Sequence, residues 1–429
     1  MTRQYKDSGI EWIGQIPMDW KMQPLAIYFA ENSKSNSDLG SVNALQFKYG
    51  EIIQKPNNGK ELTDKDRELL EKYTVVSPDD IVVNGLNLNY DLKSLRIAKV
   101  REDGIITSAY IVLRPRNGAN ASFYNYYLKA LDFQKIFHGM GVGIRLTLSY
   151  DELRSMLLAV PSFEEQQRIA DYLDKKCAEI DGLIELQEQM IAQLTDYKQS
   201  VITEAVTKGL NPNVEFVPSG VDWIGDVPKG WKVCRIKDIF RLRTGTTPKD
   251  FETGLDSSEL VNWFTPSDVA EMNCELNCSE RHLSKAVVEK EGIELSPAGS
   301  LIFVGIGASA GKIGYATVQG YSNQQITTLI PKPSKCTGKY SYYYMIADRK
   351  RIRDNAFFTT LPIINNSYLS GIKTLLPSLE EQTSIASFLD KKCNEIDELI
   401  TAKQKKIETL KEYKKSVIFE AVTGKIEIE

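Results

Sequence analysis

PSFEEQQRIADYLDKKCAEIDGLIELQEQMIAQLTDYKQSVITEAVT, residues 161–207, returns as PSLEEQTSIASFLDKKCNEIDELITAKQKKIETLKEYKKSVIFEAVT at 377–423. Of the 47 aligned positions 28 are identical, without a gap and at a constant offset of 216. Each copy reads as one long helix. Ser162 with Glu165, and Ser378 with Glu381, fit the capping box S-x-x-E, in which side chains satisfy the first free amides. Gly209 and Gly424 stand where a helix end favours positive φ, and Pro212 follows the first of them.

Between those ends the seam positions step by four and three. In the first copy they are Leu173, Cys177, Ile180, Ile184, Gln187, Ile191, Leu194, Lys198, Val201 and Ala205. The second gives Leu389, Cys393, Ile396, Ile400, Lys403, Ile407, Leu410, Lys414, Val417 and Ala421. That spacing predicts a coiled-coil seam, with polar residues entering at equivalent places in both copies. At 1.5 Å per residue each helix is roughly 70 Å long, and the two paired would form a rigid strut.

A second echo precedes each helix. SGIEWIGQIPMDWKMQPLAIYF (8–29) is answered by SGVDWIGDVPKGWKVCRIKDIF (219–240) at an offset of 211. Trp12, Pro17, Trp20 and Phe29 correspond to Trp223, Pro228, Trp231 and Phe240. The chain is therefore a tandem duplication: opening motif, variable body, long helix, twice. The bodies are hard to align, yet each alternates short apolar runs with turn signals before a tyrosine-bearing helix. In the first the runs are 73–84, 94–100 and 108–115, followed by a helix over 123–139. In the second they are 299–307, 312–318 and 324–331, followed by a helix from 340 to 355. Each body reads as an α+β domain, and divergent sequences on one plan suggest one task performed on two targets.

Composition bounds the rest. The 429 residues are 42% hydrophobic and 26% charged, as in ordinary globular proteins, which leaves room for two or three domains. There is no run of eighteen apolar residues and no hydrophobic leader in MTRQYKDSGIEW, so the chain is expected to be cytoplasmic and away from membranes. The net charge of −4 divides into −5 for 161–208 and −1 for 377–423, which leaves +2 for the remainder. The acid lies on the first helix, so DNA binding by the bodies stays open. Cys177 and Cys393 occupy the same seam position and read as buried thiols; in an antiparallel pair they would lie too far apart to bridge.

Catalytic readings find little support. Cys274, Cys278 and His282 are spaced C-x3-C-x3-H but lack a fourth zinc ligand, and two histidines in the whole chain leave little for His-based chemistry. GASAGKI (307–313) falls one residue short of a phosphate-binding loop and reads better as a glycine-rich turn. Asp79, Asp91 and Lys93 resemble a nuclease spacing, but SPDD at 77–80 reads as a turn between strands. We expect no catalytic residue, no metal and no cofactor on this chain.

Residues suited to DNA are present. Lys93, Arg96, Lys99, Arg101, Arg114 and Arg116 cluster on body one. Arg235, Lys237, Arg241, Arg243 and Lys249 surround the turn TGTTP (244–248) in body two. Lysine and arginine can hold phosphates, while Asn323, Gln324, Gln325 and Asn365 with its neighbours could read base edges.

These features together resemble the specificity (S) subunits of Type I restriction-modification systems, the HsdS family, over essentially the whole chain. The motifs are W-I-G-x-x-P-x-x-W at each body's start, R-x-x-T-G-x-T-P at 241–248, W-F-T-P-S-D at 263–268, G-A-S-A-G-K-I-G at 307–314 with N-Q-Q at 323–325, and P-S-x-E-E-Q at both helix starts. Body one lacks the T-G-x-T-P turn and carries TSAY (107–110) and GIR (143–145) instead.

The resemblance implies an α+β fold of two tandem target recognition domains, 1–160 and 209–376. Helices 161–208 and 377–424 would pair as an antiparallel coiled coil, and 425–429 would form a tail. Each domain would read half of a bipartite double-stranded DNA site, with the coil as ruler and as dock for two modification subunits. S-adenosylmethionine, ATP and magnesium would sit on those and on restriction subunits. The motifs add Ser108, Tyr110, Arg145, Thr246, Thr247, Ser309 and Lys312 as expected DNA contacts. Two rivals are a coiled-coil scaffold that binds protein rather than DNA, and a nuclease built on Asp79, Asp91 and Lys93.

Overall fold

The protein's computed structural model describes residues 3–56, 63–90, 95–143, 146–221, 224–249, 259–271, 275–354, 357–358 and 362–428. Both repeats fold into single long helices, Phe163–Lys208 and Leu379–Val422. Gly209 and Gly424 follow them with φ of 75° and 70°, the left-handed conformation that ends a helix at no Cβ cost. The chain divides into two compact units, Met1–Gln187 with Lys405–Glu429, and Glu188–Gln404. Each long helix thus gives half of its length to each unit.

Within each unit the helix halves run antiparallel. Lys414 donates to both carboxylate oxygens of Asp181 at 2.7 Å in the first unit, and Lys198 reaches Asp397 Oδ1 at 2.6 Å in the second. These are the same pair under the 216-residue offset. The expected seam is the buried stripe: Leu173, Cys177, Ile180, Leu389, Cys393, Ile396 and Ile407 are buried, while Ile184, Ile191, Leu194, Ile400 and Leu410 are partly so. Cys177 and Cys393 are free thiols, and burial raises both, Cys393 to about 11.

The bodies that resist alignment share one sheet order. In the first, strands Phe29–Glu31, Ile111–Pro115, Ile81–Val83 and Ile97–Lys99 lie side by side, all antiparallel. In the second the order is Phe240–Thr244, Ile326–Pro331, Leu301–Val304 and Ile313–Ala316, with Glu275–Leu276 added in parallel at the edge. In each, a strand after the second tryptophan pairs with the strand entering the long helix: Lys21–Pro24 with Leu157–Val160, and Lys232–Arg235 with Lys373–Leu376. The helix expected over 123–139 runs from Ala121 to Phe133 and resumes as one 3-10 turn, Ile136–Gly139. Between them Lys135 takes a left-handed φ of 62° that breaks the helix. The corresponding helix in the second unit is Gly338–Asp354.

The start motif P-S-x-E-E-Q does more than cap. Ser162 Oγ accepts from the Glu165 amide at 3.2 Å, as the capping box requires. The Glu165 carboxylate, however, accepts from the indole of fully buried Trp20 at 2.9 Å and from Arg3, so only half of the box forms. Ser378 and Glu381 repeat this, with Trp231 donating to Glu381 at 3.0 Å. The last residue of the motif clamps the body: Gln166 takes the Asn120 amide at 2.9 Å and donates to Pro161 O, and Gln382 does the same with Thr337 and Pro377.

Removing the Glu165 carboxylate strands a buried indole N–H. Glu165→Ala should therefore cost about 1–3 kcal/mol in thermal or urea denaturation, and less than additively when combined with Trp20→Phe. The antiparallel register has its own test. Lys198→Glu should destabilise by about 3 kcal/mol, because it sets like charges together in a buried seam, and adding Asp397→Lys should restore most of the loss.

Candidate nucleic-acid interface

In the second unit the sequence landmarks meet at one end of the sheet. Gly245 carries no side chain because a Cβ there would lie 2.2 Å from Asn323 O and 2.3 Å from Ser322 O. That contact presses the TGTTP turn onto the NQQ loop, backbone against backbone. Thr246 N donates to Ser322 O at 2.8 Å, and the Thr247 hydroxyl bonds Gln324. The WFTPSD segment joins from the other side, Asn323 N donating to Phe264 O at 3.1 Å. The Gly-rich turn closes the group, with Gly305 N on Gln325 O at 2.8 Å and Gly307 at φ 103°.

Thr265, Pro266, Ser267, Arg281, Ile306, Gly307, Ala308, Ser309, Asn323 and Gln325 enclose a cleft of about 280 Å³. Its rim is amide and hydroxyl, with one cation. Asn323 is buried and organises the loop: its Oδ1 accepts from Gln325 N at 3.1 Å, and its Nδ2 reaches Gln325 Oε1 at 3.2 Å. Asn366 ties in beside it, accepting from Thr327 Oγ1 at 2.6 Å and donating to Thr244 Oγ1 at 2.8 Å. Asn365 caps the helix Asn366–Gly371 instead, accepting from Tyr368 N at 2.8 Å.

Most of the nominated cations in this unit are already engaged. Arg243 bonds Glu294 at 3.0 Å, Leu295 O at 3.0 Å and Ser296 Oγ at 2.6 Å, and Arg241 joins on Glu294 at 2.7 Å. The hydrogen bond from Arg243, then the charge of Arg241, hold Glu294 below the usual carboxylate range. Lys312 lies 3.4 Å from Glu271, which Arg349 also binds. Lys249 is exposed, and its amide is bound to Glu291 at 2.9 Å.

Several cations of the first unit are spent in the same way. Arg96 is 6% exposed, and its guanidinium donates to Asn84 O and Leu86 O at 2.8 Å and to Asn87 O at 3.2 Å. The DNA contact expected of Arg96 is thus replaced by an interior role, since three carbonyls of the 84–87 loop already occupy it. Arg114 forms a bidentate pair with buried Asp80, at 2.9 and 2.7 Å. Asp79 beside it takes φ 74°, and SPDD is a turn between strands. Arg116 binds Ala26 O and Ile27 O. Lys99 donates to Ser122 Oγ at 2.7 Å and lines a cleft of about 460 Å³ with Arg101 and Lys129. Burial, then the charge of Lys414, pulls Lys129 below the usual lysine range. Ser108 is exposed and Tyr110 packs on Phe47, ring centroids 5.7 Å apart; neither lines that cleft.

Lys93, Arg145, Asp91 and Cys274 lie outside the described residues. Among the described residues no group of three metal-binding side chains occurs, and no helix is long and apolar enough to cross a membrane. Thr265 and Ser267 lie within the W-F-T-P-S-D motif, whereas Arg281 lies in none of the motifs. Arg281 is flanked by Glu280 and His282, outside the basic clusters of either body.

Two α+β bodies of one sheet order joined by paired long helices make a fold with solved counterparts. A chain of a solved type I R-M system assembly superposes with a TM-score of 0.73 at 15% identity, covering 96% of this chain and 99% of that one. The HsdS subunit from Thermoanaerobacter tengcongensis superposes at 0.52 and 16% identity, over 96% and 98%. At these identities the likeness shows the fold. The family follows from the sequence: the chain belongs to the Type I restriction modification DNA specificity domain family, which matches residues 97–196 and 228–409. It is the non-catalytic specificity subunit of such a system. It is similar to the type I restriction enzyme MjaVIII specificity subunit of Methanocaldococcus jannaschii, 24% identical over 377 residues, 83% of each chain. The MjaIX specificity subunit of the same organism is 29% identical over 197 residues, 44% of this chain and 42% of that one.

The reassignment of Arg96 is measurable. Arg96→Ala should lower stability by about 2–3 kcal/mol, because the charged hydrogen bonds of a buried guanidinium to three loop carbonyls are lost, and Arg96→Lys should recover only part of it. A DNA-contact role would instead leave the melting temperature unchanged.

Proposed function

We propose that the chain reads a bipartite double-stranded DNA site, one α+β body to each half-site, across an unspecified spacer set by the helix pair. The observation that carries this reading is the duplication itself: one sheet order and one helix-start motif serve two bodies whose surface loops differ. One plan with divergent loops suits two different targets read in a fixed relation. The recognition domains are 1–160 and 209–376, the spacer helices 161–208 and 377–424, and 425–429 the tail. Helix faces outside the seam dock two modification subunits, which hold S-adenosylmethionine and methylate adenine. Restriction subunits with ATP and magnesium complete the system.

In the second body, the loops bearing Thr246, Thr247, Ser309, Asn323, Gln324 and Gln325 face the bases, with Lys249 nearer the phosphates and Arg243 and Lys312, each paired to a carboxylate, beside it. In the first, Ser108, Tyr110, Lys99, Lys93 and Arg145 serve. Affinity should fall steeply with salt, because phosphate contacts release counterions.

Co-expression with the modification subunit of its own system, followed by genome-wide mapping of N6-methyladenine, should return a two-part motif with a fixed gap. A stable complex without new methylation would defeat the reading. Lengthening one long helix by a whole number of turns should change the gap and leave both half-sites intact. An unchanged gap would remove the ruler.

A further inference from the structure

We propose that Arg281 is a base-reading residue of the second recognition domain and that its target is a guanine in that domain's half-site. This rests on the function proposed above and assigns one side chain within it.

The first ground is what its neighbours do with their charge. Arg241, Arg243, Lys285, Lys312, Lys339 and Arg349 all have carboxylate partners within the unit. Arg281 is exposed, and among the described residues its guanidinium makes no hydrogen bond or ion pair. Asp268, whose Oδ1 holds the Glu280 amide at 2.7 Å, spends its Oδ2 on Thr265 N at 2.7 Å and Thr265 Oγ1 at 2.8 Å. An arginine kept free on the rim of a cleft still has its full donor fork to offer.

The second ground is rigidity. Arg281 O accepts from Trp263 N at 3.2 Å and from the Ser279 hydroxyl, and Ser279 Oγ in turn accepts from Trp263 N at 2.9 Å. Arg281 immediately precedes the strand His282–Ser284, which pairs with Leu260–Phe264, and Trp263 and Leu283 beneath it are buried. The backbone is therefore fixed, and a bound guanidinium forgoes little more than side-chain freedom.

The third ground is the chemistry around it. The other polar side chains of the cleft are Thr265, Ser267, Ser309, Asn323 and Gln325, all neutral. Phosphates are gripped by clustered cations, whereas a single cation among hydroxyls and amides matches a base edge with its mixed donors and acceptors. Guanine alone presents two adjacent acceptors, N7 and O6, on its major-groove edge, and the arginine fork meets both at once.

The test compares wild type, Arg281→Ala and Arg281→Lys, each co-expressed with the modification subunit. Methylomes are mapped, and binding to the wild-type site is measured across a salt series. We expect Arg281→Ala to keep the other half-site and the gap, to accept any base at one former G·C position, and to lose about 10- to 100-fold in affinity for the wild-type site. Arg281→Lys should retain a partial preference for guanine. The side chain is exposed, so unchanged melting temperatures check that the variants fold. An unchanged motif with affinity lowered equally on all sequences and a shallower salt slope would mark a phosphate contact and overturn the assignment. Unchanged motif and affinity would overturn it too. A wild-type methylome with no bipartite motif would instead strike the underlying function.

Discussion

Each unit depends on one buried tryptophan held between two helix ends. In the first unit the Trp20 indole donates to Glu165, one turn into the first long helix, and its ring lies 3.1 Å from where a Cβ on Gly424 would stand, just past the end of the second. In the second unit Trp231 donates to Glu381 at the start of the second helix, and its ring lies 3.2 Å from the equivalent point on Gly209, past the end of the first. A tryptophan so placed requires the start of one helix and the end of the other, which only antiparallel pairing provides. The glycines do double service. Positive φ ends each helix, and the missing Cβ lets the indole close over the turn.

Duplication plus antiparallel pairing makes the anchoring interactions occur twice. Lys198 with Asp397 repeats as Lys414 with Asp181, and Tyr126 on Asp174 at 2.7 Å repeats as Tyr343 on Asp390 at 2.6 Å. Two of the three lysines in the seam, Lys198 and Lys414, are thereby explained. An ion pair with its partner on the facing helix penalises shifted registers, where a buried ammonium would lack a counter-charge. Residues that anchor a body to its helix stay alike in both halves, and those in the loops differ. That is the division of labour expected when the frame must be constant and the targets must not.

The recognition surface shows how misleading a tally of basic residues can be. Arg96, Arg114 and Arg116 look like a phosphate-binding cluster, yet they hold a loop, a buried aspartate and two carbonyls respectively. Arg243 and Arg241 share Glu294, fifty residues further on. Near-neutral bodies can be built this way because each internal pair cancels. Neutral amides and hydroxyls then line the cleft, a composition suited to discriminating base edges rather than to raw affinity.

The sequence by itself determined the duplication, the two long helices with their seam, and the strand–turn–helix plan of each body. Those features rest on local periodicity and on capping chemistry, both carried by residues a few positions apart. It also sufficed for the family, because the landmark motifs are short and contiguous. Tertiary structure alone decided that the two bodies share a sheet order, since strands such as Ile81–Val83 and Ile111–Pro115 meet across long separations that no local pattern encodes. It likewise decided that Glu165 turns from its own cap to Trp20, 145 residues away, and that Arg241 and Arg243 are spent on Glu294 while the Arg281 guanidinium, among the described residues, is not. Whether a charge is spent or available depends on which carboxylates and carbonyls the fold brings beside it, and that is a property of packing.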